Sequence, residues 1–167
     1  MRLFIAIQFS EQIKEELKRF QKELKQNGVS GRFVPDENLH LTLAFIGDYP
    51  DPDLVLETME QVSYRPFEIE LEGIGNFHDL YWAGIKENPG LAAYVKRLRR
   101  ALSEQEIPFD RKKFSPHITL IRKTEIRSME AALLATPPAG KMTADRISLM
   151  RSDRGKYGMI YTEIASV

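Results

Sequence analysis

Two short segments of the chain place a histidine and a threonine in the same setting. His40 and Thr42 lie in "NLHLTLAFIG", and His117 and Thr119 lie in "PHITLIR", with 77 positions between the two histidines. Histidine can give or take a proton near neutral pH because its ordinary pKa is about 6.5. Threonine supplies a hydroxyl that donates hydrogen bonds. The repeated pair therefore indicates a site that combines proton transfer with hydrogen-bond donation.

Both segments are typical of β-strands, in which residues i and i+2 point to the same side. The histidine and threonine of each motif then share one face, roughly 6.5 to 7 Å apart. If the two strands face each other, two imidazoles and two hydroxyls surround one tetrahedral anion. In-line attack at phosphorus needs one group that takes a proton and another that gives one, and hydroxyls can donate to the non-bridging oxygens. The motifs therefore favour chemistry at phosphorus.

A purely structural role or a metal site accounts less well for the two motifs. A single His-x-Thr on an apolar strand is most often a polar pair with its hydrogen bonds satisfied, but two matching copies favour a functional site. A zinc site usually has three or four protein ligands, and the sequence lacks a His-Glu-x-x-His segment. We therefore predict no metal and no cofactor. The third histidine, His78 in "NFHDL", is predicted to lie at a turn with a structural or surface role.

Composition limits the class of protein. The 167 residues are 43% hydrophobic, which is enough for a real core in one domain or two small lobes. The absence of cysteine excludes disulfides, zinc-thiolate sites and thiol nucleophiles, and it suits a reducing cytoplasm. The apolar run in "MRLFIAIQFSE" is too short for a signal peptide, and no segment approaches the roughly 18 apolar residues of a membrane span. We predict a cytoplasmic protein with no membrane partner.

Charge is unevenly distributed although the net charge is zero. Residues 1–85 hold 8 Lys and Arg against 15 Asp and Glu, whereas residues 86–167 hold 16 against 9. The basic runs "KRLRR" (Lys96 to Arg100) and "RKK" (Arg111 to Lys113) could attract phosphate. The alternative is that both runs are solvated faces of a helix and a loop.

The order of predicted elements occurs twice. "RLFIAIQF" predicts a strand, and Ser10 is the predicted N-cap of the helix that follows. "LYWAGIK" and Asn88 repeat this order, with the two caps 78 residues apart. The predicted apolar faces of these two helices are Ile13, Leu17, Phe20 and Leu24 in the first, and Leu91, Val95, Leu98 and Leu102 in the second. The shared offset predicts an internal duplication, with repeats of about 1–78 and 79–167 in one domain spanning 1–167.

The remaining segments complete the predicted repeats. Asp51 and Pro52 begin a predicted helix that runs to Val62, and Ser128 is the predicted cap of a short helix. "FEIELEGIG", "MTADRISLM" and "MIYTEIASV" predict further strands. The strands alternate polar and apolar residues and no glycine-rich phosphate loop follows one, which argues against a doubly wound parallel sheet. We predict a bilobal, duplicated α+β fold, with two antiparallel sheets, outer helices and a central cleft that carries both His-x-Thr motifs.

The segments "RLFIAI", "ENLHLTLAFIG", "FHDLYWAGI", "KKFSPHITLIR" and "MRSDRGKYGMIYTEI" resemble the two-histidine (2H) phosphoesterases along nearly the whole chain. The likeness is to the RNA 2′,3′-cyclic phosphodiesterases, also called 2′-5′ RNA ligases. This resemblance implies metal-independent opening of a 2′,3′-cyclic phosphate to a 2′-phosphomonoester. It also implies that His40 is the general acid, that His117 is the general base for water, and that Thr42 and Thr119 contact the phosphate.

Arg122 corresponds to the arginine that commonly follows the second motif of this family. Strict alternation from His117 puts Arg122 on the opposite face from Thr119, so substrate contact requires a bulge, a twist or a strand end. The first motif has Phe45 at the matching place. Phe45 could stack on a base in the cleft, but the same alternation places it with the leucines and therefore predicts a core residue.

The substrate predicted from this resemblance is RNA that ends in a 2′,3′-cyclic phosphate, with tRNA halves as one candidate, acted on by a monomer. A second possibility is a phosphodiesterase or ligase that acts on small cyclic nucleotides or 2′-5′ linked oligonucleotides. A third is an RNA-binding module without turnover. Both motifs are intact, which argues against the third possibility.

Overall fold

The computed structural model describes residues 1–125 and 129–167, so the predicted Ser128 cap lies outside the described residues. The strands are β1 (Arg2–Gln8), β2 (Arg32–Phe33), β3 (His40–Asp48), β4 (Phe67–Phe77), β5 (Leu80–Ile85), β6 (His117–Arg122), β7 (Lys141–Ala144), β8 (Ser148–Gly155) and β9 (Gly158–Ser166). The helices are α1 (Glu11–Gln26), α2 (Pro52–Gln61), α3 (Pro89–Glu104) and α4 (Met129–Ala132), and a 3₁₀ turn spans Asp36–Asn38. No helix within the described ranges is long and apolar enough to cross a membrane.

The longer helices begin where the sequence provides a capping side chain. Ser10 Oγ accepts a hydrogen bond from the Ile13 amide at 3.3 Å, and Asn88 Oδ1 accepts one from the Leu91 amide at 3.0 Å. Asp51 caps α2 in the same way. Each cap satisfies one of the amides that a helix leaves without an internal partner. The starts of these helices are thus set by local chemistry.

The strands form two antiparallel sheets, as predicted. The order is β3-β1-β8-β9 in the four-stranded sheet and β2-β6-β5-β4-β7 in the five-stranded sheet. Strand β4 pairs with β5, and β8 pairs with β1, so each sheet contains strands from both halves of the chain. The two strands that carry the motifs, β3 and β6, belong to different sheets but approach within 8 Å at their Cα atoms. This arrangement places the two motifs on either side of one cleft.

Strand β1 shows which face of its sheet is the core and which is the cleft. Leu3, Ile5 and Ile7 are fully buried in the main core, which includes the apolar faces of the helices. Phe4 and Ala6 point the other way and form a small separate cluster with Met150. The ring of Phe4 lies 4.9 Å from the His40 ring, centroid to centroid. In each sheet, we call the face that carries the motif histidine, His40 or His117, the cleft face.

Candidate active site

Both motif histidines are held by the backbone in the same way. His40 Nδ1 lies 2.7 Å from the carbonyl oxygen of Asn38, and His117 Nδ1 lies 2.8 Å from that of Ser115. A carbonyl oxygen only accepts, so each Nδ1 carries the proton and donates it. Nε2 is then the unprotonated nitrogen of each neutral ring, the one that can take up a proton. The two-residue spacing between carbonyl and histidine is identical in the two motifs.

The first motif has further support that the sequence did not reveal. His40 Nε2 lies 2.8 Å from Thr42 Oγ1, so the hydroxyl orients the ring from its other side. Asn38 is buried, and its Nδ2 donates to the carbonyl oxygen of Met159 at 2.9 Å. This bond ties the residue whose carbonyl holds His40 to strand β9. Asn38 is therefore a positioning residue for His40, and only its place in "ENLH" signals it.

Aromatic rings flank both imidazoles. Phe4 and Tyr161 lie 4.9 and 5.3 Å from His40 between ring centroids, and the Tyr161 ring is edge-on. Phe77 and Trp82 lie 5.2 and 6.5 Å from His117, and the Phe77 ring is also edge-on. Packing of this kind restricts rotation of the imidazoles. Phe77 is 43% exposed, so part of its ring is open to solvent beside His117.

A β-bulge interrupts each motif strand at the same place. In β6, Thr119 pairs with Trp82 and Ile121 pairs with Tyr81, so Leu120 is an extra residue. In β3 the corresponding extra residue is Leu43, between Thr42 and Ala44. A bulge places two successive side chains on the same side, and the alternation is reversed beyond it. In both strands the two residues after the threonine are accordingly buried.

The bulges bring Arg122 and Phe45 back to the cleft face. Arg122 is exposed and lies on the same side as His117 and Thr119, so the expectation from strict alternation does not hold. The prediction that Phe45 packs in the core with the leucines is wrong for the same reason. Phe45 is half-buried, pairs with Phe4 in register and packs on the small cleft-face cluster.

Long polar side chains satisfy the carbonyl groups at the bulges. Arg99 donates to the Leu43 carbonyl oxygen from Nε at 3.2 Å and from Nη2 at 3.0 Å. Gln21 Nε2 donates to the Leu120 carbonyl oxygen at 3.0 Å. Gln21 and Arg99 lie 78 positions apart on α1 and α3, which is the offset of the predicted repeats. These contacts stabilise the bulges, since an unpaired buried carbonyl is costly.

The arginines of the basic run "KRLRR" bind carbonyl and carboxylate groups of the protein itself. Besides Arg99, the Arg97 guanidinium donates to the Ser63 carbonyl at 3.0 Å, and Arg100 pairs with Glu104 at 3.2 Å. The arginines of this run therefore have partners in the protein. These contacts favour a surface role for the run over phosphate binding.

The pKa of His40 is lowered from its ordinary value. The main cause is burial, which disfavours the charged imidazolium, and the hydrogen bond to Asn38 opposes this effect. The positive charges of Arg122 and His117 lower the pKa of His40 further. Both groups are thus within electrostatic reach of His40, although they lie on β6, in the other sheet.

We expect the substitution Arg122→Gln to raise the pKa of His40, because it removes a positive charge that disfavours the imidazolium. In the free protein the His40 ring should titrate below 6.5, and in the variant it should titrate closer to that value. NMR titration of the imidazole Cε1–H signals measures both. Arg65→Gln, an exposed arginine with the same loss of charge, is the matched control and should leave the titration of His40 in place. If Arg122→Gln leaves the pKa of His40 unchanged, the Arg122 guanidinium lies away from the site.

The remaining features near the site have separate roles. His78 is exposed in the turn between β4 and β5, with a φ of 53°, a backbone conformation that histidine tolerates better than most residues.

Nowhere in residues 1–125 and 129–167 do three His, Asp or Glu side chains form a group that could hold a metal ion. A cavity of about 490 Å³ adjoins Trp82 and Ser115, but Glu72 and Glu87 also line it. Two carboxylates disfavour an anion, so this cavity is poorly suited to bind a phosphate.

Two sheets that bring paired histidines to one cleft define the architecture of a two-histidine phosphoesterase. Residues 9–156 match the sequence profile of the 2′-5′ RNA ligase superfamily, and the chain belongs to that superfamily. An RNA 2′,3′-cyclic phosphodiesterase of Archaeoglobus fulgidus is 36% identical over 130 residues, which cover 73% of this chain and 72% of that protein. A protein of the same name from Methanothermobacter thermautotrophicus is 30% identical over 183 residues, covering 98% and 96%. The crystal structure of E. coli LigT complexed with phosphate matches 99% of this chain and 95% of that chain, with 26% identity and a TM-score of 0.78.

Proposed function

We propose that this protein is an RNA 2′,3′-cyclic phosphodiesterase that opens terminal cyclic phosphates to 2′-phosphomonoesters. The observation that carries the proposal is the pair of imidazoles whose Nδ1 atoms both donate to backbone carbonyls, so that Nε2 is the nitrogen of each ring that can exchange a proton. Family membership and the names of the relatives support the same activity. Both proton transfers are assigned to imidazoles, so the proposed reaction needs no metal ion.

In the proposed reaction a water molecule attacks phosphorus on the side opposite the 3′ oxygen. His117 Nε2 takes a proton from this water as the new P–O bond forms. The bond between phosphorus and the 3′ oxygen breaks, and His40 Nε2 gives its proton to that oxygen. The products are a 2′-phosphomonoester and a free 3′ hydroxyl. Each histidine then exchanges one proton with solvent to restore the starting state.

The lowered pKa of His40 fits the acid role once substrate is bound. In the free protein, burial and the charges of Arg122 and His117 favour the neutral ring. A phosphodiester brings a negative charge to the same place, and this charge favours the protonated form that a general acid needs. Substrate binding and protonation of His40 therefore support each other.

The remaining motif residues contact the phosphate in this proposal. When His40 is protonated, Nε2 no longer accepts the hydrogen of the Thr42 hydroxyl, and Thr42 then donates to a non-bridging oxygen. Thr119 donates to the non-bridging oxygens as well, and the guanidinium of Arg122 binds one of them with a charge-assisted bond. E. coli LigT, a protein of similar fold, has been crystallised with phosphate. The bulge in β6 is what gives Arg122 access to this group.

RNA is the proposed substrate class, and tRNA halves with cyclic phosphate ends are proposed as members of it. Bases of single-stranded RNA stack on aromatic side chains, and Phe77 offers an exposed ring beside His117. One chain contains every proposed catalytic and phosphate-binding residue, so a monomer suffices. The lack of cysteine suits a cytoplasmic protein.

An oligoribonucleotide with a 2′,3′-cyclic phosphate end, incubated with the protein in EDTA, tests the proposal. We expect multiple turnovers to a 2′-phosphomonoester at the rate seen without EDTA. The same oligonucleotide with a 3′-phosphate end, and a 3′,5′-cyclic nucleotide, are control substrates that should remain intact. Binding without turnover would favour an RNA-binding module. Turnover that requires an added divalent ion would contradict the two-histidine mechanism.

A further inference from the structure

Two arginines lie directly opposite each other at one end of the site. Arg32 in β2 pairs in register with Arg122 in β6. Residues that face each other across two antiparallel strands have their side chains on the same side of the sheet, with Cα atoms roughly 4.5 to 5.5 Å apart. Arg32 therefore shares the face of Arg122, whose charge acts on His40.

The packing around β2 agrees with this orientation. Phe33, the next residue, points the other way, packs against the main core and lies beneath the ammonium group of Lys25. Gly31, the residue before, has a φ of 148° and approaches β6 closely. A Cβ atom at Gly31 would lie 2.6 Å from Ile121 Cγ2 and 3.0 Å from the carbonyl oxygen of Arg122. Only glycine permits this approach, and it fixes Arg32 beside Arg122.

Among the described residues, these two guanidinium groups lack the carboxylate or carbonyl partners that many of the arginines have. Arg19, Arg100, Arg146 and Arg151 form ion pairs with carboxylates, and Arg97 and Arg99 donate to backbone carbonyls. Within the described part of the chain, neither Arg32 nor Arg122 has a carboxylate within 4 Å. Like charges directly opposite on paired strands destabilise a sheet. An anionic ligand would relieve this repulsion.

We propose that Arg32 binds a second phosphate of the substrate, the one attached to the 5′ oxygen of the terminal nucleotide. The proposal rests on the proposed function, in which Arg122 binds the cyclic phosphate. An RNA end carries both groups on one nucleotide, because the ribose joins the cyclic phosphate to the 5′ phosphate. Arginine suits this task since its planar guanidinium donates to phosphate oxygens in a bidentate manner. Arg32 would thus make the enzyme prefer a 2′,3′-cyclic phosphate whose nucleotide also carries a 5′ phosphate, as in an RNA chain, over one that lacks it.

The test compares two small substrates, a nucleoside 2′,3′-cyclic phosphate and the same compound with a 5′ phosphate. We expect the wild-type protein to favour the 5′-phosphorylated compound in kcat/KM by about 10- to 100-fold, the usual range for one charge-assisted contact. In Arg32→Gln this ratio should fall to about one to two. Arg65→Gln, an exposed arginine elsewhere, should keep the wild-type ratio. Arg122→Gln should lower kcat/KM for both compounds together.

The outcomes separate this inference from the function on which it rests. The role of Arg32 is overturned if the wild-type protein hydrolyses both compounds with nearly equal kcat/KM, or if Arg32→Gln keeps the wild-type preference for the 5′-phosphorylated compound. Hydrolysis of both compounds would still uphold the proposed function. Failure of the wild-type protein to hydrolyse either compound contradicts the proposed function and the assignment of Arg32 with it. Circular dichroism and thermal unfolding of Arg32→Gln establish that its fold is intact before the ratio is interpreted.

Discussion

Replacing either motif histidine by asparagine should lower kcat/KM for an RNA 2′,3′-cyclic phosphate by about 10²- to 10⁴-fold, the usual contribution of one positioned proton transfer. Asparagine keeps a side-chain N–H for the backbone carbonyl that now holds Nδ1, so His40→Asn and His117→Asn should preserve the local fold. It cannot exchange a proton near neutral pH. The loss should therefore appear mainly in kcat, with a smaller change in KM. Steady-state kinetics in EDTA measures it.

The same substitution at the third histidine is the matched control. His78 is exposed in a turn with positive φ, a conformation in which asparagine is well tolerated. His78→Asn should keep full activity and the wild-type melting temperature. A loss at His78 equal to that at His40 or His117 would mean that the site has been placed on the wrong residues. Unfolding curves for all three variants exclude loss of structure as the cause.

The parts of the fold set by neighbouring residues were predictable from the sequence. Capping residues Ser10, Asp51 and Asn88 begin helices where expected, because a short polar side chain satisfies amides only a few positions away. The helical spacing of apolar residues identified the buried faces of α1 and α3. Alternation also placed the histidine and threonine of each motif on one face. These features depend on spacing along the chain and not on distant contacts.

Alternation alone did not predict the face of the sheet on which the side chains of Arg122 and Phe45 lie. A bulge adds one residue to one strand, and every side chain beyond it changes face. The sequence does contain a signal, since "TLA" and "TLI" place two apolar residues in succession after each motif threonine. An unbroken strand would have put one of them in the cleft. Two adjacent apolar residues at the same point of both motifs would have indicated a paired bulge.

Several contacts at the site join residues that are distant in the sequence. Tyr161 and Phe77 reach the two imidazoles from β9 and β4. Strand β4 pairs with the second half of the chain and β8 pairs with the first, so strand pairing does not follow the order of the repeats. The link between Asn38 and Met159 spans 121 positions. No local pattern encodes such contacts, because they arise from the way the two sheets assemble.

A change of leaving group should show by a large effect which histidine is the general acid and which is the general base. Sulfur in place of the bridging 3′ oxygen gives a thiolate leaving group. A thiol has a pKa of about 8.5, so a thiolate departs without the proton that an alkoxide requires. The attacking water still needs a base. The acid therefore becomes dispensable on the sulfur substrate, whereas the base does not.

The most direct test measures kcat/KM of the wild-type protein, His40→Asn and His117→Asn on the oxygen and sulfur substrates. We expect His40→Asn to lose about 10²- to 10⁴-fold in kcat/KM on the oxygen substrate and to regain most of that loss on the sulfur substrate. His117→Asn should be impaired to a similar degree on both. Rescue of His117→Asn instead would reverse the roles of the two residues. Rescue of neither variant would contradict the division of acid and base work between His40 and His117.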